Sequence, residues 1–308
     1  MDVEQQALML SNRLRKNFRK LRGRFEQQEI GVFRVYDWDI PEVRAAVDWY
    51  EGHLVVAEYA RAQTDALPWL ERMGAAAAEA LEVEPAKVHL KKRRAGEKYE
   101  RLARKGERIE VRERSLRFLV NLDDFIDTGL FADHRETRAL VARDASAGTQ
   151  AGARGKSFLN LFGYTGSFTC AAARGGAADS VTVDASQVYL DWARDHLKLN
   201  RIEGDHRLVR ADVQEFLRDT KASFDLCVLD PPSRSDRGGF DVLRDHRALI
   251  EAALRVLRPS GLLWFATNHQ RFVPQLEGLA FEELTARTVP EDFRGTPHRT
   301  FRIRKGEP

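Results

Sequence analysis

Apolar positions in the first 28 residues recur at helical spacing. Leu8, Leu10, Leu14, Phe18 and Leu21 fall near one stripe, with Arg and Lys on the other faces, which predicts an amphipathic helix over residues 3–28. The period then shortens. Phe33-Arg34-Val35-Tyr36 alternates as a strand does and stops at Asp37-Trp38-Asp39-Ile40-Pro41, with residues 54–59 as the expected neighbouring strand. The alanine run within 69–81 favours a helix. Residues 88–90 open another strand, and 108–112 with 117–122 read as a hairpin around Arg114-Ser115. These pieces show no βαβ order, so residues 1–122 are expected to form a small α+β domain.

Beyond residue 156 the pattern changes. Expected strands at 158–162, 180–184, 207–211, 225–230 and 261–266 alternate with helical stretches at 166–174, 187–199, 213–219 and 242–257. Strands alternating with helices at this spacing predict a mostly parallel sheet covered on both faces. Residues 281–289 and 299–303 would pair antiparallel at one edge, giving seven strands. Residues 123–138 join the halves, with Asp133 opening a helix, and 145–155 read as a loose loop. The second domain is therefore expected to span 123–308.

Candidate chemistry concentrates where the first of these strands ends. Gly163-Tyr164-Thr165-Gly166 turns the chain into a small-residue helix, and the next strand ends on Asp184 about 20 residues later. In such a βαβ unit glycines let backbone N–H groups approach a ligand, and the carboxylate can take the hydroxyls of a ribose. Three successive strands end in acid, at Asp184, Asp212 and Asp230. On adjacent strands these carboxylates would repel one another unless cationic or donor-rich company joined them. S-adenosylmethionine meets that need: its ribose suits Asp184, its adenine amino group suits Asp212, and its sulfonium and ammonium suit Asp230. Asp212 alone could equally be an N-cap. A nicotinamide dinucleotide fits less well, because its pyrophosphate would face an acidic rim. Asp230-Pro231-Pro232-Ser233 presents a rigid turn of the kind that holds a nucleobase against a methyl donor.

Composition narrows the picture further. The 308-residue chain has a net charge of +3, with no apolar run long enough to span a membrane and no signal-peptide core. Cys170 and Cys227 are the only cysteines, which suits a reducing cytoplasmic compartment, and no spacing suggests a metal site. Basic residues cluster at 13–24 and 91–108. Arg13, Arg15, Lys16, Arg19 and Lys20, with Lys91, Lys92, Arg93, Lys98 and Arg101, are the candidate contacts for an RNA backbone.

Several blocks together resemble the RlmK methyltransferases, the C-terminal half of the bifunctional RlmKL enzymes of large-subunit rRNA. They are Asn12-Arg13-Leu14-Arg15-Lys16-Asn17, Phe33-Arg34-Val35-Tyr36-Asp37, Asp127-Thr128-Gly129-Leu130-Phe131 with Asp133-His134-Arg135, Asn160-Leu161-Phe162-Gly163-Tyr164-Thr165-Gly166-Ser167, Asp230-Pro231-Pro232-Ser233, and Phe240-Asp241-Val242 with Arg244-Asp245-His246. Asn268-His269-Gln270-Arg271 stands where that family carries a paired asparagine followed by basic residues. The resemblance implies a class I, Rossmann-like methyltransferase fold and N7-methylation of a guanine in 23S rRNA, free or in an assembling particle. It places the cofactor among Asp133, His134, Arg135, Asn160, Phe162, Gly163, Tyr164, Thr165, Gly166, Asp184, Ser186, Asp212, Val213 and Asp230. The turn Asp230, Pro231, Pro232 and Ser233 would carry catalysis. The N-terminal half of RlmKL has no counterpart in this sequence, so a separate RlmL-like enzyme is an expected partner.

Guanine N7 has a free lone pair, so catalysis would rest on alignment and charge placement rather than a general base. Tyr164, Phe240 and Phe131 are candidate stacking surfaces for a flipped base, and His246 and Asn268 are weaker site candidates. Cytosine-C5 methylation would need a cysteine nucleophile after the proline turn or in a late loop, where neither cysteine lies. Exocyclic-amine methylation, and an RNA-binding module with a relict cofactor pocket, are the remaining alternatives.

Overall fold

The computed structural model describes residues 2–61, 64, 67–93, 102–146, 155–234 and 239–306. Contacts divide the chain into two units, residues 1–132 with 291–294, and residues 133–290 with 295–308.

In the first unit, α1 (Val3–Gln27) is capped by Asp2, whose carboxylate accepts from Gln5 N at 2.8 Å. Its buried stripe is Ala7, Leu10, Leu14, Leu21 and Phe25. Strands β1 (Val32–Asp37), β2 (Ala45–Tyr50), β3 (His53–Tyr59) and β4 (Val88–Arg93) form one sheet in that order. Two expectations need correcting. First, β3 does not lie beside β1: β2 intervenes, its alternation masked because it is largely buried. Second, the unit does contain a βαβ crossover. Helix α2 (Trp69–Leu81) carries the chain over the sheet, so β4 runs parallel to β3. Leu14, Phe33, Val47, Leu54, Val56, Trp69 and Met73 form the core beneath α1 and α2. The hairpin β5 (Ile109–Glu113) and β6 (Leu116–Val120) follows. Residues 123–132 belong to this unit because they are tied to its sheet. Thr128 Oγ1 lies 3.0 Å from Tyr50 Oη, and the Lys91 ammonium donates to the carbonyls of Phe125 and Ile126.

In the second unit, α3 (Arg135–Ser146) precedes seven strands: β7 (Ser157–Leu161), β8 (Asp179–Asp184), β9 (Asp205–Arg210), β10 (Phe224–Leu229), β11 (Leu257–Thr267), β12 (Ala280–Glu283) and β13 (Arg299–Arg304). Their order is β12-β13-β11-β10-β7-β8-β9, and only the β13 pairings are antiparallel. The connecting helices are α4 (Ser167–Arg174), α5 (Gln187–Leu199), α6 (Val213–Asp219), α7 (Val242–Arg255) and the short α8 (Thr285–Thr288). Period-two alternation serves both faces at once. Phe158, Leu226, Val228 and Trp264 pack with α3 and α4, while Leu159, Leu161, Cys227, Leu229 and Phe265 pack with α6 and α7. That double burial explains the unbroken apolar runs Leu226–Leu229 of β10 and Leu262–Ala266 of β11. The expected loop at 145–155 begins later than its sequence suggests: Ala145 and Ser146 complete α3, and residues 147–154 lie outside the described part. Among the described residues no helix is long and apolar enough to cross a membrane.

Candidate active site

The chain leaves β7 to build β8 and β9 on one side, then returns to build β10 and β11 on the other, so strand order reverses between β7 and β10. Carboxyl ends at such a switch point are where open α/β sheets take ligands. The three acids are not all on adjacent strands: Asp184 and Asp212 follow neighbouring strands, and β7 separates Asp230 from them. Read across the rim, the sequence is Asp230 after β10, the glycine turn after β7, Asp184 ending β8, and Asp212 after β9. At about 4.8 Å per strand, Asp230 and Asp184 sit about 10 Å apart along the sheet. That spacing weakens the repulsion between these two.

The glycine turn is fastened from within. Gly163 N donates to Val183 O at 2.9 Å, Gly166 N to Gly163 O at 2.8 Å, and Tyr164 N to Asp184 Oδ2 at 2.9 Å. These N–H groups are therefore not held open for a ligand, contrary to the expectation from the motif. Gly163 is required by contact with its neighbour strand, since a Cβ there would lie 2.3 Å from Thr182 Cγ2. Phe162 and Tyr164 take left-handed backbone angles, φ 54° and 48°, which non-glycine residues seldom adopt. Asp184 also accepts from Ser186 N at 2.8 Å. Burial lifts its carboxyl above the usual range, and the two N–H donors pull it back. Each oxygen accepts one bond, leaving lone pairs for hydroxyl donors.

Other predicted cofactor residues act beneath the surface. Asn160 is buried and donates to Thr169 Oγ1 at 3.0 Å, which lies 2.6 Å from Thr182 Oγ1, tying β7, α4 and β8 together. Thr165 is buried and its carbonyl faces His196 Nδ1 at 2.8 Å. Val213 belongs to the core, and Phe162 packs against it. Ser186 caps α5, and the exposed Asp212 caps α6 through Gln214 N and Glu215 N. His246 is wholly buried, bonded to Val242 O and Gln275 N, and is structural. Tyr164 meets Tyr189 edge-on, Phe240 is buried, and Phe131 is exposed on the first unit.

Asp230 is the most perturbed acid of the rim. Burial, reinforced by Asp133 and opposed by His298 and Arg138, pushes its carboxyl up to about 6. His134 Nε2 stands 3.6 Å from Asp230 Oδ2, too far for a hydrogen bond. Burial, with His298 and Arg138 nearby, brings the His134 ring down to about 3, so it is neutral at physiological pH. His134 stacks on His298 with centroids 4.1 Å apart and meets the edge of Phe168. Its buried Nδ1 has no hydrogen-bond partner among the described residues. His298 and Arg138 were not legible as site residues: His298 lies 164 positions from His134, whereas Arg138 could have been found from its i, i+3 spacing to Arg135 on the buried face of α3. Ligand atoms of Asp133, His134 and His298 fall within 4.8 Å of one another. His298, however, already bonds Asp133 Oδ2 at 3.1 Å and Thr288 Oγ1 at 3.3 Å, which occupies both its nitrogens.

After Asp230 the proline turn is anchored on both sides. Val242 N donates to Ser233 O at 3.0 Å, and Ser233 Oγ donates to Asn268 Oδ1 at 2.7 Å. The predicted RNA contacts divide. Arg15, Lys16, Arg19 and Lys20 are exposed on α1, while Arg13 pairs with Asp39 at 3.2 Å. Lys91 is no surface cation: it is buried, its ammonium is bonded to two carbonyls, and burial lowers it to about 8. Lys92 and Arg93 are half-buried, and Lys98 and Arg101 lie outside the described residues.

A rim of carboxylates with an orphaned buried imidazole nitrogen suits a ligand that carries positive charge, hydroxyls and hydrogen-bonding groups. Comparisons agree. The chain is 44% identical over 96% of its length to a ribosomal RNA large subunit methyltransferase K/L of Syntrophotalea carbinolica, and 44% over 94% to that of Allochromatium vinosum. It spans only 43% and 41% of those proteins' lengths. Solved structures share the fold at 21% identity. A protein from Streptococcus mutans described as an S-adenosylmethionine-dependent methyltransferase superposes with a TM-score of 0.75, covering 97% of this chain and 81% of that one. A second, solved with S-adenosylhomocysteine, gives 0.73 over 96% and 81%. Residues 33–293 match the corresponding family model, and the chain belongs to the S-adenosylmethionine-dependent methyltransferases.

Proposed function

We propose that this chain methylates N7 of a guanine in large-subunit rRNA, as the K-type portion of K/L enzymes. The observation that carries the rRNA substrate is the 44% identity, across nearly the whole chain, to proteins named as large-subunit rRNA methyltransferases. The guanine-N7 assignment draws on the family resemblance and on the burial of both cysteines, and N7, with its free lone pair, requires no general base.

The cofactor supplies an electrophilic methyl group on a sulfonium. Asp184 offers acceptors for ribose hydroxyls, Asp212 stands at the adenine end, and Asp133, His134 and Arg135 lie toward the methionine end. Asp230 places a buried negative charge that stabilises cationic character without taking a proton. Pro231 and Pro232 fix the backbone, and Ser233 is locked by its bonds to Val242 N and Asn268. Cytosine-C5 chemistry lacks its nucleophile. Cys170 is buried with its thiol pushed up to about 12, and burial raises Cys227 further still.

Exposed Arg15, Lys16, Arg19 and Lys20 on α1 form no ion pairs among the described residues and would meet the RNA backbone, with the first unit as the RNA-binding part. Large-subunit RNA or an assembling particle is then the partner. The test is rRNA from cells with and without this protein, cleaved chemically at 7-methylguanine and sequenced. One guanine losing its mark supports the assignment. A changed cytosine, or an altered exocyclic amine, overturns it.

A further inference from the structure

We propose that Asn268 selects guanine over adenine at the methyl-accepting position, with Ser233 setting the orientation of its amide. The inference rests on the guanine-N7 reading and deepens it. Asn268 directly follows Thr267, the last residue of β11, and Ser233 lies in the turn after β10. The two strands are parallel neighbours with Leu229 opposite Phe265. Both residues therefore stand at the carboxyl ends of adjacent strands, beside Asp230.

Ser233 is 9% exposed, and its hydroxyl donates to Asn268 Oδ1 at 2.7 Å. An amide accepts through its oxygen and donates through its nitrogen, and these lie on opposite sides of Cγ. With the oxygen held by a nearly buried hydroxyl, the side that remains carries two N–H donors. Asn268 is exposed, and its amide nitrogen makes no hydrogen bond among the described residues. The rim thus offers a pure donor next to the proline turn.

Purines differ at the atom beside N7. Guanine carries the O6 acceptor there, and adenine carries an amino donor. An asparagine free to rotate can turn its oxygen to the adenine amine as readily as its nitrogen to guanine O6. One whose oxygen is engaged can only donate, so it matches O6 and opposes the adenine amine. The same amide reversed, with Ser233 accepting, would present an oxygen and favour adenine, so the two orientations predict opposite selectivity.

The test begins from the guanine mapped in rRNA and uses synthetic hairpins carrying guanine, 2-aminopurine or adenine at that position. 2-Aminopurine keeps N7 and lacks O6. Wild-type protein is expected to favour guanine over 2-aminopurine by about 10- to 100-fold in kcat/KM, the effect of one hydrogen bond to a desolvated acceptor. Asn268→Ala should bring the two within about threefold by slowing guanine rather than speeding 2-aminopurine. Ser233→Ala should free the amide to rotate and cut the preference for binding the guanine hairpin over the adenine hairpin by roughly tenfold. Equilibrium binding of S-adenosylmethionine reports whether each variant is folded, and Asn268→Asp, similar in size, provides a second variant should alanine perturb the turn. An unchanged guanine-to-2-aminopurine ratio in folded Asn268→Ala overturns the inference. If wild-type protein marks no guanine at N7 in rRNA, the functional reading fails first, and the selectivity claim fails with it.

Discussion

Replacing Asp230 by asparagine should make the ligand-free protein more stable at neutral pH while impairing its function. Burial raises this carboxyl from 3.8 to about 6, and about 1.4 kcal/mol per pH unit makes the ionised form cost about 3 kcal/mol. That is a ceiling, because a quarter of the side chain remains exposed. The folded protein holds the proton more tightly than the unfolded chain. Stability therefore declines as pH rises from about 4 to about 6, and the penalty is complete above that. An amide has no such penalty, and among the described residues no hydrogen bond to the carboxylate is lost, since the neighbouring His134 is neutral and 3.6 Å away. The two proteins should be nearly equal in stability at pH 4 and differ by up to about 3 kcal/mol at pH 8. In a unit of this size that corresponds to about 6–12 °C in Tm. Denaturant unfolding at each pH without cofactor measures the difference. Calorimetric titration with S-adenosylmethionine should show weaker binding by the variant, and wild-type affinity rising from pH 5 to 7 where the variant's stays flat. A variant less stable than wild type at pH 8, or a difference independent of pH, would refute the reasoning.

Gly163→Ala should destabilise by about 1–3 kcal/mol, because its Cβ would meet Thr182 Cγ2 at 2.3 Å, and thermal unfolding checks this. Lys91→Ala should cost about 1–3 kcal/mol by removing the donor to the carbonyls of Phe125 and the buried Ile126, with no change in the salt dependence of RNA binding. By contrast, Arg15, Lys16, Arg19 and Lys20 replaced together by alanine should flatten that salt dependence, by a slope of about 0.7–0.9 per lost phosphate contact, with cofactor affinity unchanged. Asp212→Ser keeps a capping oxygen, so stability should hold within about 0.5 kcal/mol while cofactor affinity falls if the carboxylate takes the adenine amino group; equal affinity would leave Asp212 as a cap only.

How far the sequence carries a reader depends on how local the determinant is. The helix over 69–81 and the hairpin around Arg114-Ser115 were legible because propensity and turn chemistry act within a few residues. β2 was missed because strand pairing, not its own pattern, defines it. The glycine turn was recognised for the wrong reason: its N–H groups serve Val183 and Asp184, and its missing Cβ serves Thr182. Lys91 shows the same limit, since charge clustering cannot reveal that one member of a cluster faces inward under residues 125 and 126.

By itself, the sequence determined an alternating parallel α/β unit, three acids at strand ends and a rigid Asp-Pro-Pro-Ser turn, because hydrophobic period and strand termination are written residue by residue. Strand order is not written that way. Only the tertiary structure placed β7 between β10 and β8, spreading the acids along a rim. It also brought His298 onto His134 and set Ser233 against Asn268, 35 positions apart. Those neighbours meet because distant segments end at the same edge of one sheet, and burial there sets the charge of Asp230 and His134.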